Sequence, residues 1–351
     1  MSDYFDRVER RIVERVERGR PRSPRLSVLP GYLARAAAAI AVIAVAGVFL
    51  LARGSGGGNQ PPAGHGSVSV VLSTSPAHPL APLVERTVRI LRERLHAVFP
   101  DVEVTRSGEQ IVVDVQNAPA GARSQILALA APGRLAFYDW EGDVVAPDGK
   151  LVASQLRASN PAALEISQGN GSATPGEPGA GGMPVHRAFQ MARRARIRGG
   201  FALVQAADPD PYHPTRPSAP DARFYVLRGA PALTEADVTN PRAGADPNAG
   251  TPNVTFDFTV SGRRAFKALT AKVAHRGALI SSLGQALNQH FAIALDERLL
   301  TVPFIDFKQY PDGINAGKGA DIAGSLTPTS AKDLAILLRF GPLPAGFRAA
   351  G

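Results

Sequence analysis

Cysteine is absent from all 351 residues, which removes disulfides, thiolate metal sites and cysteine nucleophiles together. Histidine is scarce at seven residues, and no two stand at His-x-x-x-His spacing or in a glutamate-flanked metal pattern. No G-x-S-x-G elbow presents a serine nucleophile. A phosphate loop fails at two positions. Counting G-x-x-x-x-G-K back from Lys318 lands on Asp312, and Gly319 follows where Ser or Thr is required. Asp208, Asp210, Tyr212 and His213 gather in a proline-rich stretch. They read as a solvated loop, because metal ligands there would lack fixed supporting groups. The residues therefore offer no catalytic constellation, and the expectation is a protein that is not an enzyme and takes no metal or cofactor.

A run of Lys and Arg with interleaved aromatics is also missing. The net charge of +9 suggests nucleic acid at first sight, but its position argues otherwise. Residues 1–35 carry nine Arg against five acidic residues, or +4, which leaves +5 for the rest of the chain. No nucleic-acid partner is expected.

Charge is absent again from Ala36 to Ala52, AAAAIAVIAVAGVFLLA. The larger apolar side chains of this run are Ile40, Val42, Ile43, Val45, Val48, Phe49, Leu50 and Leu51. At 1.5 Å per residue it spans roughly 25 Å, and with Tyr32, Leu33 and Ala34 it reads as one membrane-crossing helix over 32–53. Arg35 and Arg53 bracket it and can extend to the headgroups. Arg20, Arg22, Arg25 and Arg35 close a basic series before the span, and after Arg53 no Lys or Arg occurs until Arg86. The distribution of positive charge places residues 1–31 in the cytoplasm as a basic tail and everything after the span outside. Ala44-Val45-Ala46 has the small-x-small form of a signal cleavage site, but it lies inside the apolar run rather than after it. A retained anchor in the cell membrane is the better reading.

Residues 54–66, GSGGGNQPPAGHG, form a flexible spacer. Beyond it the chain holds 44% hydrophobic and 20% charged residues overall, enough to bury a core. The 35 Gly and 30 Pro concentrate in loops expected at 169–182, 207–222 and 240–252. Ser67–Ser73 alternates as a strand, and Leu83, Val84, Val88, Leu91, Leu95 and Val98 recur at helical spacing. Val102–Arg106 and Gln110–Val115 predict a hairpin through Ser107-Gly108-Glu109. A short helix ending near Ala131 and a strand over Arg134–Trp140 complete a β-α-β-β-α-β order, that of a ferredoxin-like unit. Phe224–Leu227 is expected at its edge.

A second α+β unit is expected over 232–347. It holds a strand at Val254–Val260, a helix over Ser261–Arg276, and strands at Phe291–Leu295 and Leu299–Ile305 around Asp296-Glu297. A closing helix is expected over Ala331–Phe340 with Ser330 as its cap. The fold class is thus α+β, an N-terminal transmembrane helix followed by a ferredoxin-like base unit (67–231) and a head unit (232–347).

In the second unit, Phe291-Ala-Ile-Ala-Leu295-Asp296 followed by Pro303 resembles a stretch of SecD, an accessory subunit of bacterial protein export. The similarity runs on through Ile322-Ala323-Gly324, the helix with Leu334, and Gly341-Pro342-Leu343-Pro344, which resembles the Leu-Pro ending of that family's head. Phe224–Leu227 and Leu233-Thr234 are similar to the stretch that introduces it. Two family glycines are replaced, by Glu235 and by Glu297. The resemblance implies a base and head outside the membrane that contact exported polypeptide, the Sec translocation channel or a SecF-like subunit. Its motif residues are fold-forming rather than catalytic. No apolar run of spanning length occurs after Gly66, so the reading includes no proton-driven motor in these residues. The other reading from sequence is an envelope structural or binding protein that keeps this fold without a role in export.

Overall fold

The computed structural model describes residues 66–75, 81–108, 110–146, 148–156, 163, 166–167, 182–194, 201–206, 222–247, 249–281, 288–323, 326–344 and 346–349. The expected tail, span and most of the spacer lie outside these residues. Among the described residues no helix is long and apolar enough to cross a membrane. The loops expected at 169–182 and 207–222 fall almost wholly outside them too.

The base begins with β1 (Gly66–Ser75), α1 (Ala81–His96), β2 (Val102–Ser107), β3 (Gln110–Ala118) and α2 (Ala122–Leu129). Val84, Val88, Leu91 and Leu95 line the buried face of α1 and meet Val70, Leu72, Ile111 and Val113 of the sheet. The other face of β2 and β3 alternates toward solvent, the pattern of a sheet packed on one side. The fourth base strand is β16 (Gly346–Ala349), which pairs antiparallel with β1 to give the order β16-β1-β3-β2.

This corrects the sequence reading of the β-α-β-β-α-β unit. The strand over 134–140 is present as β4 (Leu135–Asp139), but it leaves the base and pairs with β12 (Gln289–Leu295). The physical reason is burial on both faces. Leu135 and Phe137 enter one core and Tyr138 another, whereas the base sheet has only one covered face. The strand over Phe224–Leu227, β8 (Arg223–Arg228), likewise joins the head rather than the base edge, for β8 is buried along its whole centre.

The head's main sheet runs β5 (Val144–Val145), β8, β7 (Phe201–Ala206), β13 (Arg298–Thr301), β12, β4 and β9 (Leu233–Thr234). Two short strands extend it: β6 (Met183–Pro184) on β8 and β14 (Phe304–Ile305) on β12. A second sheet contains β10 (Val238–Ala245), β11 (Pro252–Phe258) and β15 (Ala320–Ala323). Between the sheets, Phe137, Phe258, Phe266 and Phe291 pack edge-on and stacked with centroids 4.8–6.5 Å apart. Phe266 comes from the long helix Val260–Ser281, which is five residues longer at its C-terminal end than the periodicity predicted. Alternation along β12 sends Phe291, Ile293 and Leu295 into this core and Ala292 and Ala294 into the core on the opposite face. That double coverage explains why its sequence is an unbroken apolar run.

Three local expectations change. Part of the loop expected over 240–252 is strand β10, an outer strand that tolerates Pro241 and bulges where Asn240 takes φ 52°. The closing helix starts at Pro328, with Thr327 as its cap. Ser330 is the reciprocal partner in the capping box rather than the cap itself. The turn between β12 and β13 keeps the shape of a two-residue hairpin, with φ 50° at Asp296 and 68° at Glu297.

Candidate functional site

Two buried polar centres stand out, one between base and head and one inside the head. The first is built on Arg94. In α1 this residue shares the face of Leu91 and Leu95, so its side chain enters the base and is fully buried. Its Nη1 donates to the carbonyls of Leu129 (2.9 Å) and Ala131 (2.6 Å). Its Nη2 donates to those of Pro132 (3.0 Å) and Gly341 (2.5 Å). The first three carbonyls belong to the end of α2 and the connection that leaves for the head. Gly341 begins the connection that returns. Leu343 adds a backbone bond between the two, donating to Pro132 O at 2.9 Å.

The Asp296 carboxylate secures the outgoing connection from the head side. It accepts from Gly133 N at 3.0 Å and Arg134 N at 2.9 Å, and Asp296 N donates to Arg134 O at 3.0 Å. Burial pulls the Arg94 guanidinium down to about 10, against the opposing pull of Asp296. Burial also pushes the Asp296 carboxyl upward, partly offset by the two backbone donors and by Arg94. Gly133 adopts φ 77° with Arg94 close against it. A Cβ there would lie 2.8 Å from Nη2, so both conformation and space call for glycine.

The structure therefore brings Asp296, Gly341 and Leu343 of the resemblance together at one junction, with Leu295 buried beside them and Pro344 adjoining Leu343. Ile322 and Leu334 meet elsewhere, in the core between the two head sheets. Pro303 supports β12 by accepting from Phe291 N at 3.1 Å. Gly324 lies outside the described residues, as do Ala36, Ile40, Val42, Ile43, Val45, Val48, Phe49, Leu50, Leu51, Arg20, Arg22, Arg25 and Arg35 of the anchor and its topology signal.

The second centre closes on Arg276 of the long head helix. Its Nη1 and Nη2 donate to the two oxygens of Asp139 at 2.9 and 2.5 Å, and Nη2 also reaches Glu141 at 3.1 Å. Lys272, one turn earlier on the same face, bonds Asp139 at 2.9 Å. Glu141 is fully buried and accepts from His290 N at 2.9 Å and Ser167 Oγ at 3.0 Å, with His290 Nδ1 at 2.6 Å. Burial alone would raise the Asp139 carboxyl, but Arg276 and Lys272 hold it below its ordinary value. Asp143 is pushed up to about 6, first by burial and then by the Asp139 charge. Burial works against the Arg276 charge too, yet Asp139 and Glu141 hold it above its usual value.

His290 links this centre to the surface. Its ring lies edge-on to Phe304, 6.5 Å between centroids, and Phe304 is 57% exposed. An aromatic side chain with a rigid buried support below it is suited to transient contact with apolar side chains. Among the described residues no group of three or more His, Asp or Glu is arranged to hold a metal ion.

Sequence reasoning missed Arg94, Asp139, Glu141, Arg276 and His290. A signal for Arg94 existed, because heptad spacing puts it seven residues after Thr87 and on the same side as Leu91. An arginine on the apolar face of a helix needs a buried acceptor.

Comparison with known proteins bears on the head. Residues 212–345 match the family profile described as SecDF, P1 head subdomain. The protein translocase subunit SecD of Rhodobacter capsulatus is 38% identical over 131 residues, 36% of this chain and 20% of that protein. SecD of Acidaminococcus fermentans is 35% identical over 121 residues, 34% of this chain and 24% of that protein. The matched stretch thus spans a quarter or less of these relatives' length. A crystal structure of SecDF in a super-membrane-facing form superposes over 84% of this chain and 32% of its own, with TM-score 0.47 and 20% identity. A second structure, of a SecDF membrane component that enhances protein export, superposes over 81% of this chain and 98% of its own, with TM-score 0.45 and 20% identity. Over the head region, residues 212–345, the chain is SecD-like.

Proposed function

We propose that this chain is an accessory of protein translocation, with its head outside the membrane contacting translocating polypeptide or the Sec channel. The observation that carries the reading is the match of residues 212–345 to the SecDF P1 head. In this reading Ala36–Ala52 is a single anchor with the arginine-rich tail in the cytoplasm, and a SecF-like subunit is a natural partner. The role is binding rather than catalysis. The head residues offer an exposed aromatic, Phe304, with a hydrogen-bonded frame behind it.

The second reading, an envelope protein that has left export, rests on the long Gly/Pro-rich loops and on the two glutamates that replace family glycines. Both substitutions are absorbed locally. Glu297 takes the positive φ that the turn requires, and Glu235 opens a short helical turn capped by Thr234. The two glutamates therefore give that reading little support.

Copurification tests the proposal. The full chain, at native expression and solubilised from membranes, is expected to bring the export channel with it. Absence of the channel, together with normal secretion and altered cell-wall morphology in a deletion strain, would favour the envelope role.

A further inference from the structure

A helix end whose last carbonyls lack partners is often closed by a nearby basic side chain. Arg94 does this for Leu129, Ala131 and Pro132. Its fourth bond is of a different kind, since Gly341 lies 247 residues away in sequence and on the other connection. One guanidinium thereby holds both chain crossings between base and head. The flat fork of donors suits this task, because each terminal nitrogen can serve two acceptors without changing the plane. The arrangement also carries a local cost. Among the described residues Arg94 Nε is buried without a hydrogen-bond partner.

Further observations point the same way. The carboxylate that faces Arg94, Asp296, sits on a hairpin turn of the head, yet both its oxygens bond amides of the outgoing crossing. Gly133 lies between the two charged groups and leaves room for the guanidinium. Two units joined by short crossings ordinarily move relative to one another unless something fixes them. Besides the crossings, the closing helix rests on the base through Ile336 and Phe340 and through the bond from Gln125 Nε2 to Asp333 at 2.8 Å. We propose that Arg94, countered by Asp296, is a pin that fixes the orientation of the head on the base, so that the head reorients only when Arg94 releases both crossings together. The release is concerted because the crossings share one donor group, and the junction has discrete pinned and free states rather than a continuous range. This inference is independent of the translocation reading.

The cysteine-free chain permits site-specific spin labelling. Labels at Glu103→Cys on β2 and Ala268→Cys on the long head helix occupy exposed positions, one on each side of the junction. Distances are measured by electron–electron resonance on the full chain in lipid nanodiscs. The native junction is expected to give one narrow distance. Arg94→Gln is expected to lose it and give a broad distribution, with the circular dichroism and the fluorescence of Trp140 unchanged. An Arg94→Gln distribution as narrow as the native one, or a native distribution that is already broad, overturns the proposal. If Arg94→Gln fails to fold, Gly133→Ala decides. It retains the arginine and its charge but crowds Nη2, so broadening supports the pin and an unchanged narrow distance refutes it.

Discussion

Arg94 is a fully buried guanidinium and Arg276 a largely buried one, and they are satisfied in opposite ways. Arg276 meets two carboxylates in bidentate and bridging contacts, all within the head. Arg94 meets four backbone carbonyls and has its carboxylate, Asp296, beyond the backbone that both of them hold. A paired charge organises its immediate surroundings. A charge spread over carbonyls instead ties together the chain segments to which those carbonyls belong. The first arrangement suits support beneath a surface, and the second suits fastening one unit to another.

Removing each guanidinium should separate these roles. Arg94→Met leaves four carbonyls facing a group that cannot donate, and a loss of about 3–5 kcal/mol is expected in urea denaturation. Trp140 is the sole tryptophan and lies in the head, so its fluorescence follows the head alone. In Arg94→Met the fluorescence and circular-dichroism transitions should part, whereas in the native chain they should coincide.

Arg276→Met leaves Asp139 to Lys272 and Glu141 to His290 and Ser167, and should cost about 2–4 kcal/mol at pH 7, with the two transitions moving together. Its pH dependence follows from Asp139, which Arg276 and Lys272 hold below its ordinary value. A depressed carboxyl stabilises the fold above its unfolded value and loses that contribution as pH falls through the folded one. The difference between native and Arg276→Met should therefore narrow below about pH 4. A difference independent of pH would contradict the assigned pairing.

Asp143 has the opposite sign. Its carboxyl is raised to about 6, so its favourable contribution is present below the unfolded value and is lost as pH rises through 6. Asp143→Asn should stabilise the chain by about 1–2 kcal/mol at pH 8, allowing for partial exposure, and by almost nothing near pH 4. The smallest effect is expected at Glu297→Gly. Relief of the positive φ there should raise stability by about 0.5–1 kcal/mol in the same denaturation assay.

Much of the architecture was legible wherever neighbours in sequence decide structure. The helical spacing of Val84, Val88, Leu91 and Leu95 gave α1, and the Ser107-Gly108-Glu109 turn gave the β2–β3 hairpin. The β12–β13 turn at Asp296-Glu297 was visible for the same reason. The fourth base strand was not legible, because which strand closes an edge depends on partners hundreds of residues away. Leu135–Asp139 had the right pattern and the right order, but its second apolar face needed a cover that the base lacks. The short strand Gly346–Ala349, GFRA, carries almost no pattern of its own and is recruited by the free edge of β1. Charged residues were the least legible. Arg94 and Arg276 look like ordinary helix-surface arginines until the helical face is tracked residue by residue. The acids at Asp139, Glu141 and Asp143 are spaced two apart, yet they occupy a strand end and a short helix, so spacing alone could not say that they converge with Arg276.

The proposed contact of the head is with polypeptide in transit or with the Sec channel, and a photo-crosslinker in place of the exposed Phe304 reads both. With an exported protein stalled during translocation and the chain at native expression, the account predicts an adduct with the client or the channel from this position. A control crosslinker at Glu103 on the base should give a weaker adduct or none. No adduct from Phe304 with either client or channel would contradict the account.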